Sequence, residues 1–163
     1  QMCIRDRFYS ILGKTEQAQD YLQQALSITR EVGDRREEGL ILNYIGQFYS
    51  LLGKKELAFK YLEQALCILR KVGDQRGEGF VLENISILYL EQRRYDIALA
   101  SLLLAKDILE EVRHPHSEEI SGYIEKIHQE IGAEHFSSLL ATVESQAQQI
   151  VDQALYNGLQ FSD

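Results

Sequence analysis

Four histidines lie close together in the C-terminal third of the sequence, at His114, His116, His128 and His135. Imidazole nitrogens bind zinc, and the string HPH places two of them near each other. No cysteine stands at a zinc-binding spacing from these histidines, and the sequence contains no HExxH motif. Because an acidic, polar surface segment often holds unliganded histidines, we expect neither a metal site nor a cofactor.

Acidic pairs are the other residues whose spacing could support catalysis. Glu37 with Glu38, or Glu110 with Glu111, could serve as general acid and base. Both pairs flank expected helix ends, where capping and solvent exposure account for them. The string GDQRGEG lacks the lysine and the preceding strand of a phosphate-binding loop. No nucleophile motif frames the serines, histidines and aspartates. The sequence therefore predicts a protein that is not an enzyme.

Composition and charge favour one helical domain that binds neither nucleic acid nor membranes directly. The chain has 163 residues, of which 45% are hydrophobic, and a single proline, which favours long uninterrupted helices. A net charge of -8 disfavours non-specific binding to phosphate backbones or anionic lipid. Residues 1–112 carry 17 acids and 15 bases, whereas residues 113–163 carry 8 acids and 2 bases. Two different segments are therefore expected to join near Arg113.

The N-terminal residues, the cysteines and the hydropathy pattern bear on processing and location. No run reaches the roughly 18 to 20 apolar residues that span a bilayer, and no signal peptide is visible. Cys3 and Cys67 are too few for a disulfide framework, and the apolar neighbours of Cys67 predict a buried side chain. We expect a cytoplasmic protein. The opening QMCIRDR resembles a translated sequencing adapter. We therefore interpret residues 1–7 as a non-native segment and expect the natural protein to continue further N-terminally. An ordinary N-terminus is the alternative.

A repeat of 40 residues organises the first two thirds of the chain. Shifting the sequence by that interval aligns GKTEQAQDYLQQALSITREVGD with GKKELAFKYLEQALCILRKVGD. A third copy keeps the main apolar positions but has Arg93 and Arg113 where the second copy has Gly53 and Gly73. Because each copy is too short to bury its own apolar face, the repeat predicts stacked units.

Each repeat is predicted to contain two helices. Apolar residues recur at steps of three and four from Glu37 to Leu52 and again from Lys55 to Val72. Gly53 and Gly73 are expected to end these helices. Asp34 and Asp74 stand where an N-cap is expected, and Glu37 follows Asp34 at the spacing of a capping box.

Small and aromatic residues at fixed positions of each unit complete the pattern, and small side chains permit two helix axes to approach closely. Together these positions resemble the pattern of the tetratricopeptide repeat, in its branch with a period longer than usual. The positions are Gly46, Tyr49, Gly53, Ala58, Ala65, Tyr89, Ala98 and Ala105. The resemblance implies an all-α fold, a right-handed α-solenoid of antiparallel helix pairs. It covers residues 8–112, divided into a partial unit at 8–33 and full units at 34–73 and 74–112.

The segment after Pro115 departs from the repeat but keeps helical periodicity. One apolar stripe runs from Ile120 to Ile131 and a longer one from Phe136 to Leu155, with Gly132 between them and Gly158 expected to end the second. We interpret residues 113–157 as a degenerate helix pair that caps the solenoid, followed by a tail at 158–163. The alternative is a docking helix for another domain, which would leave an exposed apolar stripe.

The resemblance also implies a concave groove lined by the first helix of each pair. The groove positions are Asn43, Tyr44, Gln47, Ser50, Glu83, Asn84, Ile87, Leu90 and Glu91. Amide side chains there can satisfy the backbone of an extended peptide, whereas the lysine-rich clamp that some members of the family use for carboxylates is absent. We therefore expect a non-catalytic protein interaction scaffold, of bacterial origin, that binds a peptide or helix of neutral to basic character.

Two further hypotheses come from different functional classes. The chain could be the C-terminal sensor arm of a larger signalling NTPase or transcriptional regulator, because IGAEHFSSLL weakly resembles the closing helices of such proteins. A phosphate-binding loop or a DNA-binding domain upstream would identify it. The third hypothesis is a self-associating repeat stack, which light scattering would detect as a mass that depends on concentration.

Overall fold

The computed structural model describes the backbone of residues 2–160 and the side chains of residues 14–155. Within that part of the chain there are eight helices and no strand, which confirms the all-α prediction. Their bounds are α1 Met2–Val32, α2 Arg35–Leu51, α3 Lys55–Val72, α4 Gln75–Glu91, α5 Tyr95–Glu111, α6 Ser117–Ile131, α7 Ala133–Val143 and α8 Ala147–Gln160.

Helices α2 and α3 form one antiparallel pair, and α4 and α5 form the next. Helix α3 packs against α4, so the second pair stacks on the first, while α1 packs against α2. The apolar faces of these helices meet in one core, whose fully buried side chains include Leu42, Leu62, Leu82, Leu99 and Leu109. The chain is therefore an α-solenoid of stacked helix pairs.

The turn after each of α2, α3, α4 and α5 has the same backbone geometry. Gly53 and Gly73 adopt the left-handed conformation, with φ of 71° and 73°, and Arg93 and Arg113 adopt it with φ of 56° and 53°. The amide that follows each of these residues donates to the carbonyl five residues back, as in Lys54 to Tyr49 at 2.9 Å. The arginines thus occupy a conformation that favours glycine, because the repeat geometry requires it.

Aspartates begin two of the helices, as their positions predict. The Asp34 carboxylate accepts a hydrogen bond from the Glu37 amide at 3.0 Å, and Asp74 accepts one from the Gly77 amide at 3.0 Å. Each bond satisfies an amide that has no partner within its own helix. The VGD sequence therefore ends one helix and begins the next.

Small residues allow the helices of a pair to approach closely. A Cβ added at Gly46 would lie 2.6 Å from Leu62 Cγ and 3.3 Å from the Ala58 carbonyl oxygen. Ala58 and Ala65 are fully buried on the facing side of α3. The same is true of their counterparts in α5, Ala98 and Ala105.

Aromatic residues close the end of each pair opposite the VGD turn. Tyr49 is buried and its ring stacks on Tyr61 with centroids 5.4 Å apart. In the next pair, Tyr89 packs on Phe59 with centroids 4.9 Å apart. The second contact joins α4 to α3 of the preceding pair, so these rings also hold the pairs together.

An arginine–glutamate ion pair recurs across the VGD turns with the period of the repeat. Arg30 Nε lies 2.9 Å from Glu38 Oε1, and Arg70 Nε lies 2.7 Å from Glu78 Oε1. The carboxylates are the less exposed partners of these two pairs. Arg70 also contacts Asp152 of α8 at 3.0 Å, which ties α3 to the segment beyond the repeats.

Helix α1 departs from the pattern of the later units because it continues through position 13, which aligns with the turn residue Gly53. Tyr21, Ile28 and Val32 are exposed on it. The counterparts of Tyr21 and Ile28 are Tyr61 and Ile68, which pack against α2, and no helix of the described structure takes the place of α2 beside that face of α1. Val72, the counterpart of Val32, is itself exposed.

The segment from 113 to 157 contains three helices rather than the expected pair. The helix predicted from Phe136 to Leu155 is interrupted at residues 144–146, so α8 turns back to pack along α5 and touches α3. Burial of Val143, Ala147 and Val151 accompanies this turn and accounts for it. Gly158 does not end α8, whose backbone remains helical to Gln160.

The C-terminal helices cover the last repeat. Ile120 and Ile127 of α6 are fully buried, and no large apolar side chain between 117 and 155 is exposed. The role of these helices as a cap stays a prediction. Cys67 is exposed, so its predicted burial is wrong, since it points away from the seam that Leu66 and Ile68 fill. None of the helices formed by the described residues is long and apolar enough to cross a membrane.

Candidate binding groove

A groove with a volume of about 440 Å³ opens between the first helices of successive pairs. Helices α2, α4 and α6 supply most of its lining. The lining residues are Gln47, Ser50, Leu51, Leu62, Phe80, Glu83, Asn84, Ile87, His116, Glu119 and Tyr123. Five of the nine predicted groove residues are among them, namely Gln47, Ser50, Glu83, Asn84 and Ile87.

The structure places the other four predicted residues outside this groove. Asn43 is buried, and its Oδ1 accepts a hydrogen bond from Asn84 Nδ2 at 2.8 Å. Tyr44 is exposed on the surface of α2. Leu90 and Glu91 line a separate depression, and Glu91 pairs with Lys55 at 3.1 Å. Asn43 therefore orients the amide of Asn84, a groove residue.

Six lining residues were not among the predicted ones. Two are Leu51 and Leu62, and the other four, Phe80, His116, Glu119 and Tyr123, close one end of the groove. Three of them come from α6 and the turn before it, where the sequence departs from the repeat. Tyr123 nevertheless lies 40 residues after Glu83 and 80 after Asn43. Carrying the repeat register past Pro115 would have identified this one.

His116 bridges two carboxylates at this closed end. Its Nε2 lies 2.8 Å from Glu83 Oε2, and its Nδ1 lies 3.0 Å from Glu119 Oε2. Burial disfavours the imidazolium, but the hydrogen bonds and negative charges of Glu83 and Glu119 outweigh that effect and raise the pKa of His116. The structure therefore stabilises the protonated form of this histidine.

The ring of Phe80 holds the histidine turn in place. Its centroid lies 5.3 Å from that of His114 and 5.2 Å from that of His116. His114 Nδ1 accepts a hydrogen bond from the His116 amide at 3.2 Å. Local packing thus positions the HPH string, and no group of three potential metal ligands occurs among the residues that the structure describes.

The charge of the closed end is negative apart from His116. Glu83 and Glu119 are acidic, and none of the lining residues is a lysine or arginine. Burial, together with the negative charges of Glu83 and Glu119, raises the pKa of Tyr123, which keeps its hydroxyl protonated. The open end is neutral, with Gln47, Ser50 and Asn84 on apolar walls.

Stacked helix pairs with an open groove along their first helices define a helical-repeat protein, a class in which such extended surfaces are commonly used for binding. The sequence model of the family described as tetratricopeptide repeat matches residues 7–71 and 40–111. The chain belongs to the tetratricopeptide repeat family, as the resemblance implied, and repeats of this family generally mediate protein–protein interaction without catalysis. No curated protein and no solved structure matches the chain.

Proposed function

We propose that the protein is a non-catalytic scaffold whose groove binds a peptide segment of a protein partner. The groove volume of about 440 Å³ lies in the range of ligand sites, roughly 300 to 1,000 Å³, and suits one or two peptide side chains. This groove carries the proposal because it combines apolar walls with convergent polar groups.

The polar groups suit a peptide backbone. The Asn84 amide nitrogen is directed to Asn43 by their hydrogen bond, which leaves the Asn84 oxygen to accept a backbone N–H. Gln47 and Ser50 add donors and acceptors on the facing helix. Leu51 and Ile87 supply apolar contact area beside these polar groups.

A displayed library of random nonapeptides, selected on the whole chain, tests this proposal. We expect enriched peptides whose affinity falls at least tenfold in Gln47→Trp, because the indole fills the groove. Gln153→Trp, at an exposed position of α8, is the matched control and is expected to retain the affinity. Equal loss in both variants, or selected peptides that bind both as well as the parent, would contradict the assignment of the groove.

A further inference from the structure

We infer that the closed end of the groove is a subsite for one lysine or arginine side chain of the bound peptide, with Glu83 as its counter-charge. This inference rests on the proposed function and names the chemistry of the ligand. His116 also affects this subsite, because in its protonated form it is an internal cation that competes with the ligand for the Glu83 carboxylate.

Glu83 is the first observation that points to a cationic ligand. It lines the groove, yet the side chain is only 10% exposed. His116 occupies Oε2, while Oε1 has no hydrogen-bond donor within the described structure. Oε1 is not a fully buried atom, so it is accessible from the groove, where a ligand ammonium or guanidinium would form a charge-assisted hydrogen bond with it.

The walls around Glu83 suit the rest of a long basic side chain. Phe80, Ile87 and Tyr123 are apolar or aromatic and line the same cavity. Lysine and arginine carry three or four methylene groups that pack on apolar surface, and their cationic heads are attracted by aromatic faces. A short acidic side chain would find two carboxylates and no fixed cation except His116.

His116 determines how strongly the carboxylates attract a ligand. The charged or titratable groups that face it are Glu83 from α4, Glu119 and Tyr123 from α6, and His114 from its own turn. The His116 imidazolium donates to both Glu83 and Glu119, so these three groups together carry a net charge of about -1. The neutral imidazole has one N–H, so one glutamate loses its donor and the net charge becomes about -2. A cationic side chain should therefore bind more strongly as the pH rises through the titration of His116.

The test uses the groove-dependent nonapeptides selected as above, resynthesised with lysine replaced by norleucine or arginine by citrulline. Citrulline keeps the length of arginine, norleucine is one atom shorter than lysine, and each replacement removes the charge. We expect at least tenfold weaker binding to the whole protein at pH 8, and a smaller difference at pH 6. Because these changes are made in the peptide, the result does not depend on the folding of a variant.

Two protein variants identify the subsite. Glu83→Gln should weaken the charged peptides at least tenfold and leave their neutral analogues unchanged. His116→Gln should remove the difference between pH 6 and pH 8. Gln129→Glu, at an exposed position elsewhere on α6, adds a negative charge outside the groove and should change neither.

The outcomes separate the two proposals. Failure to select any groove-dependent peptide would overturn the proposed function together with this inference. Groove-dependent peptides that lack lysine and arginine, or that tolerate norleucine and citrulline, would overturn the inference alone. Peptides that bind Glu83→Gln as tightly as the parent would show that the cation, if required, lies elsewhere.

Discussion

At the scale of single residues, close packing and charge burial act at separate positions. Gly46 is small because an added Cβ would overlap Leu62, and Ala58, whose carbonyl oxygen faces Gly46, is fully buried. The repeat alignment alone predicted this seam, since helix contact depends on side-chain size at fixed spacing. The bridging role of His116 was not predictable, because it depends on which carboxylates the fold brings to the turn.

Gly46→Ala should destabilise the protein by about 1 to 3 kcal/mol, because the new methyl overlaps Leu62 in a closely packed seam. Gly122→Ala is the matched control in α6, where nothing lies within 4 Å of the added carbon. Alanine is the better helix former there, so this variant should gain about 0.5 to 1 kcal/mol. Urea unfolding followed by circular dichroism measures both, and equal stabilities would contradict the close contact.

Glu63 is a second residue whose environment predicts a measurable effect. Burial raises its pKa to about 7 from an ordinary value of 4.5. The folded state then holds a proton that the unfolded state releases, so the free energy of unfolding should fall as pH rises from 4.5 to 7.

Glu63→Gln should remove that part of the pH dependence and be more stable than the parent at pH 8, by about 1 kcal/mol after allowance for solvent screening. Near pH 4.5 the two proteins should be similar. Glu56→Gln, exposed on the same helix, serves as the control. Unfolding curves at pH 4.5, 6 and 8 check this, and parallel curves for Glu63→Gln and the parent would refute it.

At the scale of helices, the boundaries set by local signals were predictable and those set by distant packing were not. Helix α3 begins at Lys55 and ends at Val72, as predicted, because glycine and the sequence before it act within one turn. The interruption at residues 144–146 has neither glycine nor proline. It exists because α8 packs on α5, which the apolar periodicity of residues 136–155 does not reveal.

The turns at Arg93 and Arg113 give a prediction about these elements. Both residues hold the left-handed conformation in which a side chain costs about 1 to 2 kcal/mol. Glycine relieves that cost but loses up to about 1 kcal/mol of entropy, so Arg93→Gly and Arg113→Gly should each stabilise by about 0.5 to 1 kcal/mol.

Gly53→Arg and Gly73→Arg are the converse variants, made in the same turn of the neighbouring repeats, and should destabilise by a similar amount. Thermal unfolding of all four proteins provides the comparison. A loss of stability on placing glycine at 93 and 113 would mean that the arginine side chains make contacts worth more than the strain.

At the scale of the whole molecule, α8 connects parts of the stack that are distant along the chain. It packs on α5, touches α3, and pairs Asp152 with Arg70. The family resemblance predicted the stack and its groove, because each repeat carries its own packing pattern. It did not predict this return, since the segment that forms α7 and α8 follows no repeat whose geometry could be carried over.

Val151→Ala tests that connection. Val151 is fully buried, so its truncation should cost about 1 to 3 kcal/mol. Because α8 contacts α3 as well as α5, amides of α3 should exchange faster with deuterium in this variant. The control is Gln149→Ala, on the exposed face of α8. Faster exchange confined to α8 would show that the helix is an independent appendage.

The return of α8 also bears on how quickly the molecule can reach its native form. Within the repeats, most contacts join helices that are neighbours in sequence. Such contacts form rapidly because each one closes only a short loop of chain. The Arg70–Asp152 pair joins residues 82 positions apart. Mean sequence separation of contacts correlates inversely with folding rate, so α8 makes this a slower-folding protein than its repeats alone would be.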